Sequence, residues 1–81
     1  MRVRVLAFAR LRELLASGEL TLELTAGARV SDAWQMLAGR HAALEHLANS
    51  TRFARNGQIV PSDAPLADGD EIALLPPVGG G

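Results

Sequence analysis

From Glu19 to Leu24 the chain alternates without a break: Leu20, Leu22 and Leu24 fall on one side, Glu19, Thr21 and Glu23 on the other. A period of two sends successive side chains to opposite faces of a strand, so this segment has one face for a core and one for water. A second segment, from Arg2 to Phe8, also alternates and is rich in β-branched residues, with Val3, Val5 and Ala7 on one face and Arg4, Leu6 and Phe8 on the other. Good helix formers fill residues 9–16, where Leu11, Leu14 and Leu15 have helical spacing and Ser17-Gly18 supplies a stop. The two strands therefore pair as an antiparallel ribbon joined by a short helix.

A loop over residues 25–29 leads to the main helix, with Ser31 as N-cap, Asp32 at its positive end, Ala33, Met36 and Leu37 in the buried stripe and Trp34 at the stripe's edge. Gly39 weakens it, and residues 42–48 form a second short helical piece. Asn56-Gly57, between residues 52–55 and 58–60, is a two-residue hairpin turn; Pro61 ends that hairpin, and Asp68-Gly69-Asp70 turns the chain into a last strand over residues 71–75. A right-handed crossover through the main helix brings a late strand parallel beside the first. One sheet packed by one face on one main helix is an α+β layer fold, and this order in 81 residues predicts a β-grasp over residues 1–75, followed by an extended tail over 76–81.

Net charge is −1 with the signs interspersed, and Trp34, Phe8 and Phe53 are the only aromatics, so no basic stripe or stacking platform argues for nucleic acid. No apolar run approaches the ~18 residues of a membrane span, and Met1 leads straight into a strand, which predicts a soluble cytoplasmic protein. The sequence has no Cys, hence no disulfide and no thiolate nucleophile, and no Lys, since all eight cationic side chains are Arg. His41 and His46 are five apart, on different helix faces, and no third ligand completes a metal set. Asp63, Asp68, Asp70 and Glu71 lack calcium-loop spacing, and Ser17 and Ser31 have no acid–base partner, so the domain shows no catalytic set.

What remains is the ending, Leu74-Leu75-Pro76-Pro77-Val78-Gly79-Gly80-Gly81. Two prolines favour a stiff extended path, and three glycines without Cβ can thread where side chains would clash. Fully extended, the six residues from Pro76 reach at most ~20 Å, enough to carry the Gly81 carboxylate into another protein's cleft. A frayed terminus, a linker or a cloning remnant is the bland reading of a glycine run. Against it, the stiff segment feeds the glycines directly from an apolar strand. A carboxylate is a poor acyl donor and must be activated, most simply as an acyl-adenylate. Leu6 and Phe8 also share an outer side with Ala73 and Leu75, an apolar patch at the arm's base that suits a partner; a simple fold-over of Phe8 and Leu75 onto the sheet end is the other reading.

Phe8-Ala9-Arg10-Leu11-Arg12-Glu13-Leu14, Asn56-Gly57, Pro65-Leu66-Ala67-Asp68-Gly69-Asp70-Glu71-Ile72 and the Pro-Pro-Val-Gly-Gly-Gly ending together resemble the small, ubiquitin-like sulfur-carrier subunits of molybdopterin synthase, the MoaD family. Gly79 stands where the family often has Ala, Ser or Thr. The resemblance implies that a ubiquitin-activating-like adenylyltransferase adenylates Gly81 with ATP and magnesium, and that a sulfur donor protein converts the adenylate to a thiocarboxylate. The arm then enters the large synthase subunit, and sulfur passes to cyclic pyranopterin monophosphate to build the molybdopterin dithiolene. It implies a non-catalytic subunit of a sulfurtransferase, with no permanently bound cofactor, in a two-plus-two heterotetramer. Gly81 would be the covalent site, Phe8, Leu75, Pro76, Pro77, Val78, Gly79 and Gly80 the partner-binding residues. A carrier for thiazole, cysteine or tRNA thiolation, a protein modifier, and an interaction module with an inert tail are the alternatives.

Overall fold

β1 (Arg2–Ala7), α1 (Ala9–Leu15), β2 (Glu19–Glu23), α2 (Val30–Arg40), a 3₁₀ helix (Ala42–Leu47), β3 (Arg52–Arg55), β4 (Gln58–Val60) and β5 (Glu71–Leu75) follow one another in a computed structural model that describes residues 1–76. The five strands form one mixed sheet in the order β2-β1-β5-β3-β4. β1 pairs antiparallel with β2 and parallel with β5, while β3 lies antiparallel between β5 and β4. This is the expected β-grasp, with β5 at the centre of the sheet.

One face of the sheet carries Val3, Val5, Ala7, Leu22, Phe53, Ile72 and Leu74, and all are buried against the helices. α2 contributes Val30, Ala33, Trp34 and Leu37 to the same core; α1 adds Leu11 and Leu15, and the 3₁₀ helix adds Leu44. Trp34 is not at the stripe's edge. It is buried and meets the Phe53 ring edge-on, with centroids 5.8 Å apart.

Two helix boundaries differ from the sequence expectation, each for a physical reason. α2 begins at Val30, one residue before the anticipated Ser31 cap, and Val30 is fully buried. A serine cap contributes ~1 kcal/mol, whereas burying a valine contributes roughly 1.5–3 kcal/mol, so burial decides the start. Asp32 does the capping from inside the helix by accepting the Arg29 amide at 2.7 Å. α1 ends through Ala16, which takes a left-handed φ of 56°, rather than through Gly18. A Cβ at Gly18 would stand 3.2 Å from the Arg12 guanidinium, a tight approach that a small shift of that exposed side chain relieves, and the Gly18 carbonyl accepts the Ala7 amide at 3.0 Å.

Candidate functional site

β1 and β5 run parallel in the register Arg4↔Glu71, Leu6↔Ala73 and Ala7↔Leu74, so both strands finish at the same end of the sheet. Phe8 leaves β1 there, and Leu75 and Pro76 leave β5 beside it. Ile72 and Leu74 point into the core, so Glu71, Ala73 and Leu75 occupy the outer face, each half-buried. The Phe8 ring is 45% exposed, as expected for a residue that continues β1's outward side. Of the anticipated partner-binding residues, Phe8, Leu75 and Pro76 are therefore brought together at the arm's root. Pro77, Val78, Gly79, Gly80 and Gly81 lie outside the described residues.

The outer face divides into two halves. Toward β2 it is polar: Arg2 pairs with Glu23 at 2.7 Å, and Arg4 lies 3.6 Å from Glu19 and also pairs with Glu71. Toward β4 it is mainly apolar, with the exposed Arg52 opposite Leu75 on the same face. The pairings Leu6↔Ala73, Ala73↔Ala54 and Ala54↔Ile59 set four apolar residues in one row across β1, β5, β3 and β4. Three strand spacings make that row roughly 14 Å long. Ile59, at 61%, is the most exposed of the large apolar residues described. Sequence reasoning found the Leu6, Phe8, Ala73 and Leu75 end and missed Ala54 and Ile59. The signal was present: the two-residue Asn56-Gly57 turn fixes Ala54 opposite Ile59, and with Phe53 taken into the core the alternation sends both to the outer face, where Ala54 is covered by its neighbours and Ile59 is exposed.

β5 is fixed at its start by the turns that flank it. Asn56 (φ 50°) and Gly57 (φ 87°) have the paired positive φ that such a hairpin turn requires. The Asn56 side-chain amide donates to Asp70 at 2.9 Å, and its oxygen accepts the Glu71 amide at 2.9 Å. Asp70 also accepts the Ala67 amide at 2.8 Å. The Asn56 and Ala67 hydrogen bonds hold the Asp70 carboxyl below its usual pKa. Asp68 accepts the Arg2 amide at 2.7 Å, so Asp68 and Asp70 act as turn residues, as the sequence suggested. His41 terminates α2, and among the described residues no three His, Asp or Glu gather as metal ligands. Nor is any helix described long and apolar enough to cross a membrane.

The sequence model described as the ThiS family matches residues 5–81. The chain belongs to the ThiS family. Full-length similarity accompanies that membership: a molybdopterin synthase sulfur carrier subunit of Chlamydomonas reinhardtii is 40% identical, with all of both chains covered. The crystal structure of SAMP1, the small archaeal modifier protein 1 of Haloferax volcanii, superposes on this ThiS-family chain with a TM-score of 0.87 at 34% identity, all of both chains covered. A Helicobacter pylori complex of subunits 1 and 2 of molybdopterin-converting factor contains a chain matching at a TM-score of 0.67 and 26% identity, again over all of both chains.

Proposed function

We propose that this ThiS-family protein is the sulfur-carrier subunit of molybdopterin synthase. Gly81 would be its covalent site and the apolar half of the outer face its docking surface on the large subunit. The observation that carries the reading is the placing of the arm's root: Leu75 and Pro76 leave the central strand beside the exposed ring of Phe8. A partner that grips this face receives the arm at a fixed point, and the remaining residues set how far the carboxylate reaches. The Chlamydomonas relative and the Helicobacter subunit complex support this choice of pathway and partner.

In this reading the Gly81 carboxylate attacks the α-phosphorus of ATP, with magnesium, on a ubiquitin-activating-like adenylyltransferase, and pyrophosphate leaves. Sulfide-level sulfur attacks the acyl carbon and displaces AMP to give the thiocarboxylate; where the donor protein carries it as a persulfide, a thiol reductant supplies the two electrons that cleave the S–S bond. Inside the large subunit that sulfur is transferred to cyclic pyranopterin monophosphate, and hydrolysis returns the plain carboxylate. Catalysis belongs to the partners; the carrier supplies an acyl group without a side chain to hinder it. The similarity to SAMP1 favours a second reading, a modifier joined through Gly81 to a target lysine.

Incubation with the activating enzyme, ATP and a sulfur source, followed by intact mass measurement, separates the two. Exchange of one oxygen for one sulfur on the last residue, with formation of molybdopterin once the large subunit and precursor are added, supports the carrier. A covalent adduct with another protein supports the modifier. An unchanged mass removes both.

A further inference from the structure

The chain enters α1 through a backbone conformation that alanine resists. Ala9 has φ 51°, where a Cβ crowds the following carbonyl and glycine is the usual occupant. Ala16, at the other end of the same helix, has φ 56°, but its place in the fold explains it: left-handed residues commonly close helices, and the Ala16 and Ser17 amides reach the Glu13 and Arg12 carbonyls at 3.2 Å each. No such rule covers a helix start. Ala9 directly follows Phe8, the half-exposed ring at the arm's root. Phe8 is extended (φ −129°, ψ 156°), and its carbonyl accepts the amides of Leu11 at 3.1 Å and Arg12 at 3.4 Å. The backbone on both sides of that ring is thus fixed, while the ring itself makes little use of the core.

We propose that Ala9 is a positioning residue: the fold holds it at a positive φ, its own Cβ narrows that half of the map to the small left-handed well, and the Phe8 ring beside it is thereby preset on the outer face for the large subunit of molybdopterin synthase. The inference rests on the docking reading above. Glycine at this position would satisfy the turn with less strain but would also open the conformations that alanine forbids. Phe8 would then have to be ordered at each binding event, and affinity would fall although no contact had been removed. Strain tolerated beside an exposed aromatic ring is the pattern expected where binding rather than stability set the geometry.

The test compares Ala9→Gly, Ala16→Gly, Ala9→Asn and Phe8→Ala by thermal unfolding and by calorimetric titration with the large synthase subunit of the same organism. Ala9→Gly and Ala16→Gly are both expected to keep or raise Tm. Only Ala9→Gly should weaken binding, by about 2- to 5-fold and through a less favourable entropy. Ala9→Asn, which tolerates the left-handed region without glycine's freedom, should bind like the wild type. Wild-type affinity in Ala9→Gly, while Phe8→Ala binds about tenfold or more weakly, overturns the role of Ala9 and leaves the docking reading standing. A fall in Tm and affinity together in Ala9→Gly makes Ala9 merely structural and also overturns it. Wild-type affinity in Phe8→Ala removes the docking reading itself.

Discussion

Asp70 ties three pieces of chain together with one carboxylate: the Asn56 side chain, the Ala67 amide and its own turn into β5. The same hydrogen bonds depress its pKa, so the ionised form contributes stability that the protonated form does not. Because the folded value lies below the unfolded one, near 3.9, the contribution is fully present above about pH 5 and fades as pH falls through the lowered folded value. Most of the group is solvated, which limits its size, and Asp70→Ala is expected to cost about 1 kcal/mol at pH 7. Urea unfolding at neutral pH and again below pH 4 checks this, since the gap between variant and wild type should narrow in acid. The Phe8 ring behaves differently. About half of it stays exposed in the fold, so Phe8→Ala should cost only about 1–1.5 kcal/mol of stability while weakening the large subunit's grip about tenfold or more. A titration calorimeter and a melting curve distinguish the two effects.

The β3–β4 hairpin shows what an element adds that single residues do not. β4 is only three residues long and lies at the sheet's edge, yet its register puts Ile59 at the end of the apolar row. Ile59→Asp removes little buried surface, so stability should stay within about 0.5–1 kcal/mol of wild type. Binding to the large subunit should weaken about tenfold, if the row works as a docking surface with its far end included. Unchanged affinity would confine docking to the Phe8 and Leu75 end. The strands themselves were legible in the sequence because period-two alternation and the Asn-Gly turn are local signals, and the β-grasp order followed from them. The helix ends were less legible, because burial of Val30 outweighs the better cap at Ser31, and a local rule cannot weigh a tertiary contact. The left-handed alanines carried no sequence signal at all, since alanine is an ordinary helix residue everywhere else. Trp34 was misplaced for a related reason: its burial depends on Phe53, which arrives from a strand nineteen residues later.

For the whole molecule, the parallel pairing of β1 with β5 has the largest consequence. It puts the last strand at the sheet's centre, paired with β1 on one side and β3 on the other, and it brings Leu75 and Pro76 to the sheet end beside Phe8. A rigid origin matters because the span to a partner's catalytic groups is then set by residue count alone. Each residue of extended chain adds up to about 3.3–3.6 Å, while reacting atoms must approach to roughly 3–3.5 Å. One residue more or fewer is thus an error as large as the reaction distance itself. Deleting Gly81, or adding one residue after it, is expected to abolish sulfur transfer by the assembled pair. Neither change touches the residues 1–75 core, so the melting temperature and the affinity for the large subunit should stay near wild type. Transfer is checked by molybdopterin formation in a reconstituted reaction. Full activity in the lengthened chain would mean that the arm's length does not set the reach and that the terminal carboxylate is not the group being lent.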